Sequence, residues 1–475
     1  MRRVATPYCF LILLAGGLVA PAGADVIHLK NGDVIYADET KEAGNRIEYQ
    51  KGDDSYTIPK SVVQGVEKAA TPQVTATVSS SEVIPTYTPA TQAIGEDLLL
   101  ERVILSGKVD RSALIEIDSR GNRTETAIAF YVAGKQEFDS KDYAASQRDF
   151  ETALRNDPQN PAILNFYAAL LIKIGNPRQA LLYAERAVEQ APNSADAYAV
   201  LGYAQYSAEH AREAIQSWKK SISLRPDTSI RQMLARAERE THVESNYTER
   251  ETGHFVLRYE GAQSSETFRA QILATLESAY RDLVQAFGSE PRSSISVVLY
   301  TSQNFFDVTR APGWVGALND GTIRIPLRGM NSVTPGLARI LRHELTHSFV
   351  EQITLERCPQ WLNEGIAQML EPKSLNRGGA FMAQMFKTES EIPLNSLEGG
   401  FSNLSGTQAD VVYMESLATV SYIRDHYGMS DVLRILDKLG QGESIESALR
   451  STIHCDYRQL QEETGAALIH QFGSQ

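Results

Sequence analysis

The sequence predicts a multidomain α+β protein: a small N-terminal β module, an all-α solenoid and a C-terminal α+β domain. Three observations predict this. Asn31-Gly32-Asp33 lies between short apolar runs, a strong hairpin signal. Pro158, Pro192 and Pro226 recur every 34 residues, a solenoid period. Beyond Thr252, strand-like runs give way to amphipathic helices, the order of an α+β unit. The length of 475 residues agrees, at roughly 150 residues per domain.

The first 24 residues have the build of a signal peptide. Arg2 and Arg3 precede an apolar stretch from Tyr8 to Val19, and Ala22-Gly23-Ala24 supplies the small residues of a cleavage site. The stretch is too short to span a bilayer comfortably. The expected mature protein is exported, periplasmic or extracellular, with no integral membrane segment. Cys9 lies inside the apolar stretch, so a lipoprotein site is not suggested.

Residues 25–68 form the β module, with strands at Val26 to Lys30, Val34 to Tyr36, Arg46 to Tyr49 and Ser55 to Ile58. Residues 69–95, rich in Thr, Val, Ser, Pro and Ala, are expected to be an extended linker. The net charge of −13 argues against nucleic acid as a partner.

Alignment on the three prolines brings other positions into phase. Ala153, Ala187 and Ser221 fall five residues before them, and Phe150, Ala184 and Trp218 fall eight before. Gly134, Ala168 and Gly202 stand early in each unit. Small residues let paired helices approach, and proline ends the second helix of each pair. The pattern resembles the tetratricopeptide repeat over residues 126–240, which implies a surface for a protein partner or substrate.

The C-terminal domain, residues 250–475, holds the chemistry. Strands are expected at His254 to Tyr259 and Ser294 to Tyr300, with a helix from Glu266 to Phe287 between them. Thr334-Pro335 starts another helix, with Thr as N-cap and Pro first. On it His343 and His347 are four apart, so both imidazoles project from one face. Two nitrogens so placed reach one tetrahedral zinc at about 2.0–2.1 Å. Glu344 is set to touch a water rather than the metal. His343-Glu344-Leu345-Thr346-His347 fits the H-E-x-x-H motif of zinc proteases. Glu364 follows His347 by seventeen residues, on an expected second helix between Pro359 and Pro372. It completes three protein ligands and leaves a fourth position open, as catalytic zinc requires.

This set resembles the gluzincin zinc metallopeptidases, and Trp361-Leu362-Asn363-Glu364-Gly365-Ile366-Ala367 looks like the third-ligand segment of the peptidase MA-like branch. The resemblance implies hydrolysis of peptide bonds with Zn2+ on His343, His347 and Glu364 and with Glu344 as general base. It implies a Tyr near the start of a later helix, here Tyr413, that stabilises an oxyanion. It also implies that Gly316 to Ile325 contains the edge strand that pairs with substrate. Asn319 stands where the aminopeptidase branch has the Glu that binds a free amino terminus. That departure favours internal cleavage unless Asp320 substitutes. Gln368, one turn beyond Glu364, is expected to orient a ligand.

Rival readings are an inactive repeat-containing adaptor and a zinc hydrolase of a non-peptide substrate. Two further expectations follow. Cys358 and Cys455 would form a bridge in an oxidising compartment. The chemistry would need only the segment from about Thr252 onward, with the repeats acting as a separate recruiting module.

Overall fold

The computed structural model describes residues 25–30, 34–37, 39–51, 54–67, 87–291, 294–311, 316–371, 375, 378–399, 401 and 406–473. The signal peptide, the Asn31-Gly32-Asp33 turn and the linker up to residue 86 lie outside them. Among the described residues no helix is long and apolar enough to cross a membrane.

The described residues 25–67 belong to one compact unit and those from 87 onward to another. In the first, β1 (Asp25–Leu29), β2 (Val34–Ala37), β3 (Glu39–Ala43), β4 (Arg46–Lys51), β5 (Asp54–Pro59) and β6 (Val63–Glu67) make two antiparallel sheets, β2-β1-β6 and β3-β4-β5. The expected hairpin is present, with His28 opposite Val34 across the turn. Among the described residues of this module, Ile27 and Ile47 are buried and apolar.

The second unit opens with two helices that the sequence reading did not identify, α1 (Glu96–Val103) and α2 (Arg111–Ser119). Between them lies a short hairpin, β7 (Ile104–Leu105) and β8 (Lys108–Val109). Leu99, Val103, Leu114 and Ile117 join one core with the first repeat, so the helical region begins well before residue 126. Arg111 also clasps Asp149, at 2.7 Å, together with Glu137.

The repeats are three helix pairs and a closing helix. The pairs are α3 (Arg123–Asp139) with α4 (Tyr143–Asn156), α5 (Pro161–Lys173) with α6 (Pro177–Gln190), and α7 (Ala195–Ser207) with α8 (Ala211–Leu224); α9 (Thr228–Val243) follows. A Cβ on Gly134 would lie 2.8 Å from the Phe150 ring, and one on Gly202 would lie 2.4 Å from the Trp218 ring. Glycine is needed where the facing helix carries a large aromatic; the middle pair has Ala168 and Ala184 at these positions. The turns inside the pairs repeat too: Lys141, Gly175 and Glu209, 34 apart, have φ of 61°, 76° and 67°.

The segment from Tyr87 to Ala93, the end of the expected extended linker, lies across the first helices of the pairs. Tyr131 donates to the Thr91 carbonyl at 2.9 Å. The Tyr87 ring stacks on Tyr203, and its hydroxyl meets Asp196 and Arg225. Pro89 and Ala93 are buried.

The C-terminal domain is built on a five-stranded sheet in the order β12-β13-β11-β10-β9. Its strands are β9 (Thr248–Glu251), β10 (Phe255–Tyr259), β11 (Ile295–Tyr300), β12 (Leu318–Asn319) and β13 (Thr322–Pro326). The three central strands are parallel and both edge strands antiparallel. β11 is buried at every position, as a central parallel strand must be. Helix α10 (Glu266–Phe287) spans the expected residues, and α11 (Ser302–Thr309) follows β11. Then come α12 (Pro335–Thr354), α13 (Gln360–Leu370), α14 (Gly379–Lys387), α15 (Gly406–Tyr427), α16 (Met429–Gly440), α17 (Ile445–Thr452) and α18 (Tyr457–Phe472).

Two expectations fail here. Cys358 and Cys455 are free thiols. The Cys455 sulfur is engaged locally by Tyr427 Oη at 3.4 Å, while burial and the nearby Glu351 push the Cys358 thiol well up. The repeats are also no detached module. Lys173 pairs with Glu356, Arg357 stacks over Tyr143 at 4.6 Å, and Glu209 reaches Arg258 at 2.8 Å. The row of turns inside the repeat pairs thus faces the C-terminal domain.

Candidate metal centre

Helix α12 starts as its sequence dictates: Pro335 takes the first position and the Thr334 side chain accepts from Leu337 N. Leu337, Leu341 and Leu345 are buried, and Ile340 packs at the margin of the core. That stripe fixes the helix rotation and turns His343 and His347 inward, their ring centroids 4.8 Å apart. Helix α13 begins after Pro359 and brings Glu364 to the same point. Glu364 Oε2 is 3.4 Å from His343 Nε2 and 3.8 Å from His347 Nε2. One donor atom from each of the three lies within 4.8 Å of the others, and all three side chains are fully buried.

Close packing of α13 on α15 sets the rest. A Cβ on Gly365 would stand 2.4 Å from the Ser416 carbonyl, so the residue after Glu364 must be glycine at this approach. Tyr413 on α15 thereby sets its hydroxyl 3.5 Å from Glu364 Oε1. Tyr413 falls in the third turn of α15, which begins at Gly406, rather than near the helix start as expected.

Side chains that the sequence reading passed over hold the ligands. Asn363 Oδ1 is 2.8 Å from His347 Nδ1, and Glu371 Oε2 is 3.2 Å from His343 Nδ1. Each leaves the Nε2 of its histidine for the shared point. Gln360 donates to Glu364 Oε1 at 2.9 Å. Glu371 carried a signal: it lies seven residues after Glu364, two turns along one helix face. Gln368 does something other than expected. Its amide donates to the carbonyls of Tyr413 and Glu364, tying α13 to α15 rather than orienting a ligand side chain.

The electrostatics are those of charges crowded away from water. Burial depresses His343, but Glu371 and Glu364 more than offset it and lift the imidazole to about 10. Burial and the charge on His343 push His347 down to about 3 against the opposing Asn363 contact. Burial pushes Glu344 up to about 8, with Glu364 and Glu371 adding to it and His343 opposing. The Nε2 atoms of both histidines and both carboxylate oxygens of Glu344 make no hydrogen bond. Buried polar atoms are seldom left so. Two imidazoles and a carboxylate converging through lone pairs are the donor set of a catalytic zinc site, so the residues fit a divalent metal.

Asn319 is wholly buried and turned to internal work. Its amide donates to the Glu344 carbonyl at 2.7 Å and to Ser348 Oγ at 2.8 Å. Asp320 is ion-paired with Arg324 at 3.0 Å and with Arg236, so it is committed to the fold rather than to a substrate amine. Burial alone would raise Asp320, but Arg324 and Arg236 hold it below the usual carboxylate range.

A model of the peptidase MA superfamily matches residues 275–470, and a tetratricopeptide-repeat model matches residues 137–202. A curated protein of Mycosarcoma maydis, small glutamine-rich tetratricopeptide repeat-containing protein 2, is 27% identical over 97 residues. The match covers 20% of this chain and 28% of that protein, so this chain spans little more than a quarter of it. Among solved structures, the first tetratricopeptide domain of human RPAP3 is 18% identical, with 25% of this chain and 95% of that one covered at a TM-score of 0.25. MamA of Desulfovibrio magneticus is 23% identical, with 31% and 81% covered at a TM-score of 0.27.

Proposed function

From the premise that residues 275–470 are a peptidase MA superfamily domain joined to tetratricopeptide repeats, we propose that the chain is an exported zinc-dependent peptidase that cleaves within proteins or peptides. One observation carries the catalytic part. Glu344 is fully buried beside the two-histidine, one-glutamate cluster, and neither of its oxygens has a hydrogen-bond partner. A buried carboxylate without partners costs on the order of 1–3 kcal/mol or more. An adaptor with a purely structural metal has no use for that expense, whereas a general base must keep its lone pairs available.

The division of labour follows from the geometry. His343, His347 and Glu364 would hold the metal, whose contribution is to polarise the scissile carbonyl and bring a water's pKa to about 7. Asn363 and Glu371 fix the ring orientation of the two histidines. Glu344 accepts the proton from the attacking water and hands it to the leaving amine. Tyr413, whose hydroxyl lies beside Glu364, donates to the oxyanion in a site shielded from water. β12 is the edge of the sheet, and an extended substrate would pair along it once Leu318 and Asn319, both buried here, are uncovered. Asn319 and Asp320 are both engaged inside the protein rather than set to bind a free amino terminus, which supports internal cleavage.

The repeats point to interaction with another protein. Since Tyr87 to Ala93 already lies across the first helices of the pairs, a partner on that face would have to displace it. The test of the functional reading is an activity screen of purified protein against casein and unrelated esters, with and without chelator. Chelator-sensitive cleavage of casein supports it. Hydrolysis of esters alone, or of neither, sinks it.

A further inference from the structure

A buried ionic cluster joins the repeats to the C-terminal domain, and its far side is the edge hairpin of the proposed cleft. Arg236 and Glu240 stand on consecutive turns of α9. Arg236 pairs with Asp320 in the β12–β13 turn, and its Nε donates to Glu240 Oε1 at 3.0 Å. Arg324, on β13, donates from Nη2 to that same oxygen at 3.0 Å and from Nη1 to Tyr300 Oη at 2.7 Å. Tyr206, from α7, closes the cluster on Glu240. Glu240, Asp320 and Arg324 are each no more than 6% exposed.

In the hairpin that receives these contacts, β13 is anchored on β11 from Thr322 to Pro326, but the outer strand is short. β12 is two residues long and pairs with β13 only at Leu318 with Arg324 and Asn319 with Ile323. So short a ladder is marginal by itself. Yet its second residue, Asn319, is the one that donates to the Glu344 carbonyl and to Ser348 on α12. A continuous chain of polar contacts therefore runs from the last helix of the repeats, through the hairpin, to the backbone of the proposed general base.

We propose that Arg236 and Glu240 are positioning residues of the cleft: they hold the β12–β13 hairpin, and through Asn319 they set the edge on which substrate is aligned against Glu344. The repeats are then a working part of the enzyme. The kinetic arm of this inference rests on the peptidase reading; its structural arm does not. Asp320 keeps Arg324 when Arg236 is removed, so loss of Arg236 loosens the hairpin without leaving that carboxylate alone.

The test compares full-length wild type with Arg236→Met, Arg236→Lys and Glu240→Gln by amide hydrogen exchange and steady-state kinetics on a peptide substrate. Exchange at residues 318–324 should quicken about tenfold in Arg236→Met while the first two repeat pairs and zinc content stay unchanged. KM should rise about tenfold with a smaller fall in kcat, the mark of misaligned substrate rather than lost chemistry. Arg236→Lys should recover most of both, since an ammonium still reaches Asp320. Should Arg236→Met not fold, the near-isosteric Glu240→Gln carries the same two readouts. Unchanged hairpin exchange in a folded variant, or equal losses in the lysine and methionine variants, would overturn the proposal. A wild-type protein without peptidase activity would strike the functional reading alone, and the exchange result would still decide the positioning claim.

Discussion

Two buried polar clusters lie on either side of the β12–β13 hairpin, and they are opposites. On the repeat side, Arg236, Glu240, Asp320 and Arg324 answer each other charge for charge, with Tyr206 and Tyr300 completing the hydrogen bonds. On the other side, His343, Glu344 and His347 leave polar atoms without hydrogen bonds. The first cluster is satisfied by the protein alone. The second keeps polar atoms that no protein group meets. The saturated cluster holds elements together; the deficit of the other bears on function because it coincides with three converging donor atoms.

The largest expected effect tests the deficient side. His343→Ala should abolish both zinc binding and hydrolysis, read by elemental analysis and casein assay. Wild-type zinc content in that variant would remove the metal assignment. Next, the two clusters should respond oppositely to neutralising a carboxylate in metal-free protein. Asp320→Asn weakens buried pairs with two arginines and should cost about 3–5 kcal/mol in chemical denaturation. Glu344→Gln replaces a buried carboxyl that burial has pushed up to about 8 and that has no hydrogen-bond partner, so it should leave stability unchanged or raise it. Equal losses in both would erase the distinction drawn between the clusters.

The pH dependence follows the same sign. The Asp320 pKa is lowered in the folded protein, so its pairs contribute fully above the unfolded value of about 3.9 and are lost as pH falls below it. Tyr413→Phe removes one oxyanion donor and should lower kcat by about 10²-fold with KM little changed. Smallest of all, wild-type protein made in an oxidising compartment should melt at the same temperature with and without reductant, and so should Cys358→Ser. A reductant-dependent drop in the wild type would restore the bridge that the structure argues against.

Much of the deficient cluster was legible because its signals are local. The H-E-x-x-H spacing lies within two helical turns, and Glu364 sits in the distinctive run from Trp361 to Ala367. Its supporting shell was less legible: Asn363 and Glu371 are ordinary helix residues until α12 and α13 pack. The saturated cluster was invisible, since Arg236 and Asp320 are 84 residues apart and the edge-strand resemblance assigns Asp320 no partner in the repeats. The repeats were readable from their period, but α1 was not; Leu98 beside its core-facing Leu99 is 84% exposed, which blurs the amphipathic pattern. In the β module, β3 reads Glu-Thr-Lys-Glu-Ala, whose polar run carries no strand alternation.

One paired measurement bears most directly on the claim that the buried, partnerless carboxylate is there for catalysis. Glu344→Gln keeps the side chain's shape and removes its ability to take a proton. Zinc content and the rate of casein cleavage would be measured on the same preparation. One zinc per chain with hydrolysis reduced by about 10²–10⁴-fold is the expected result. One zinc per chain with near wild-type hydrolysis would contradict it, because the proton would then be carried by another group.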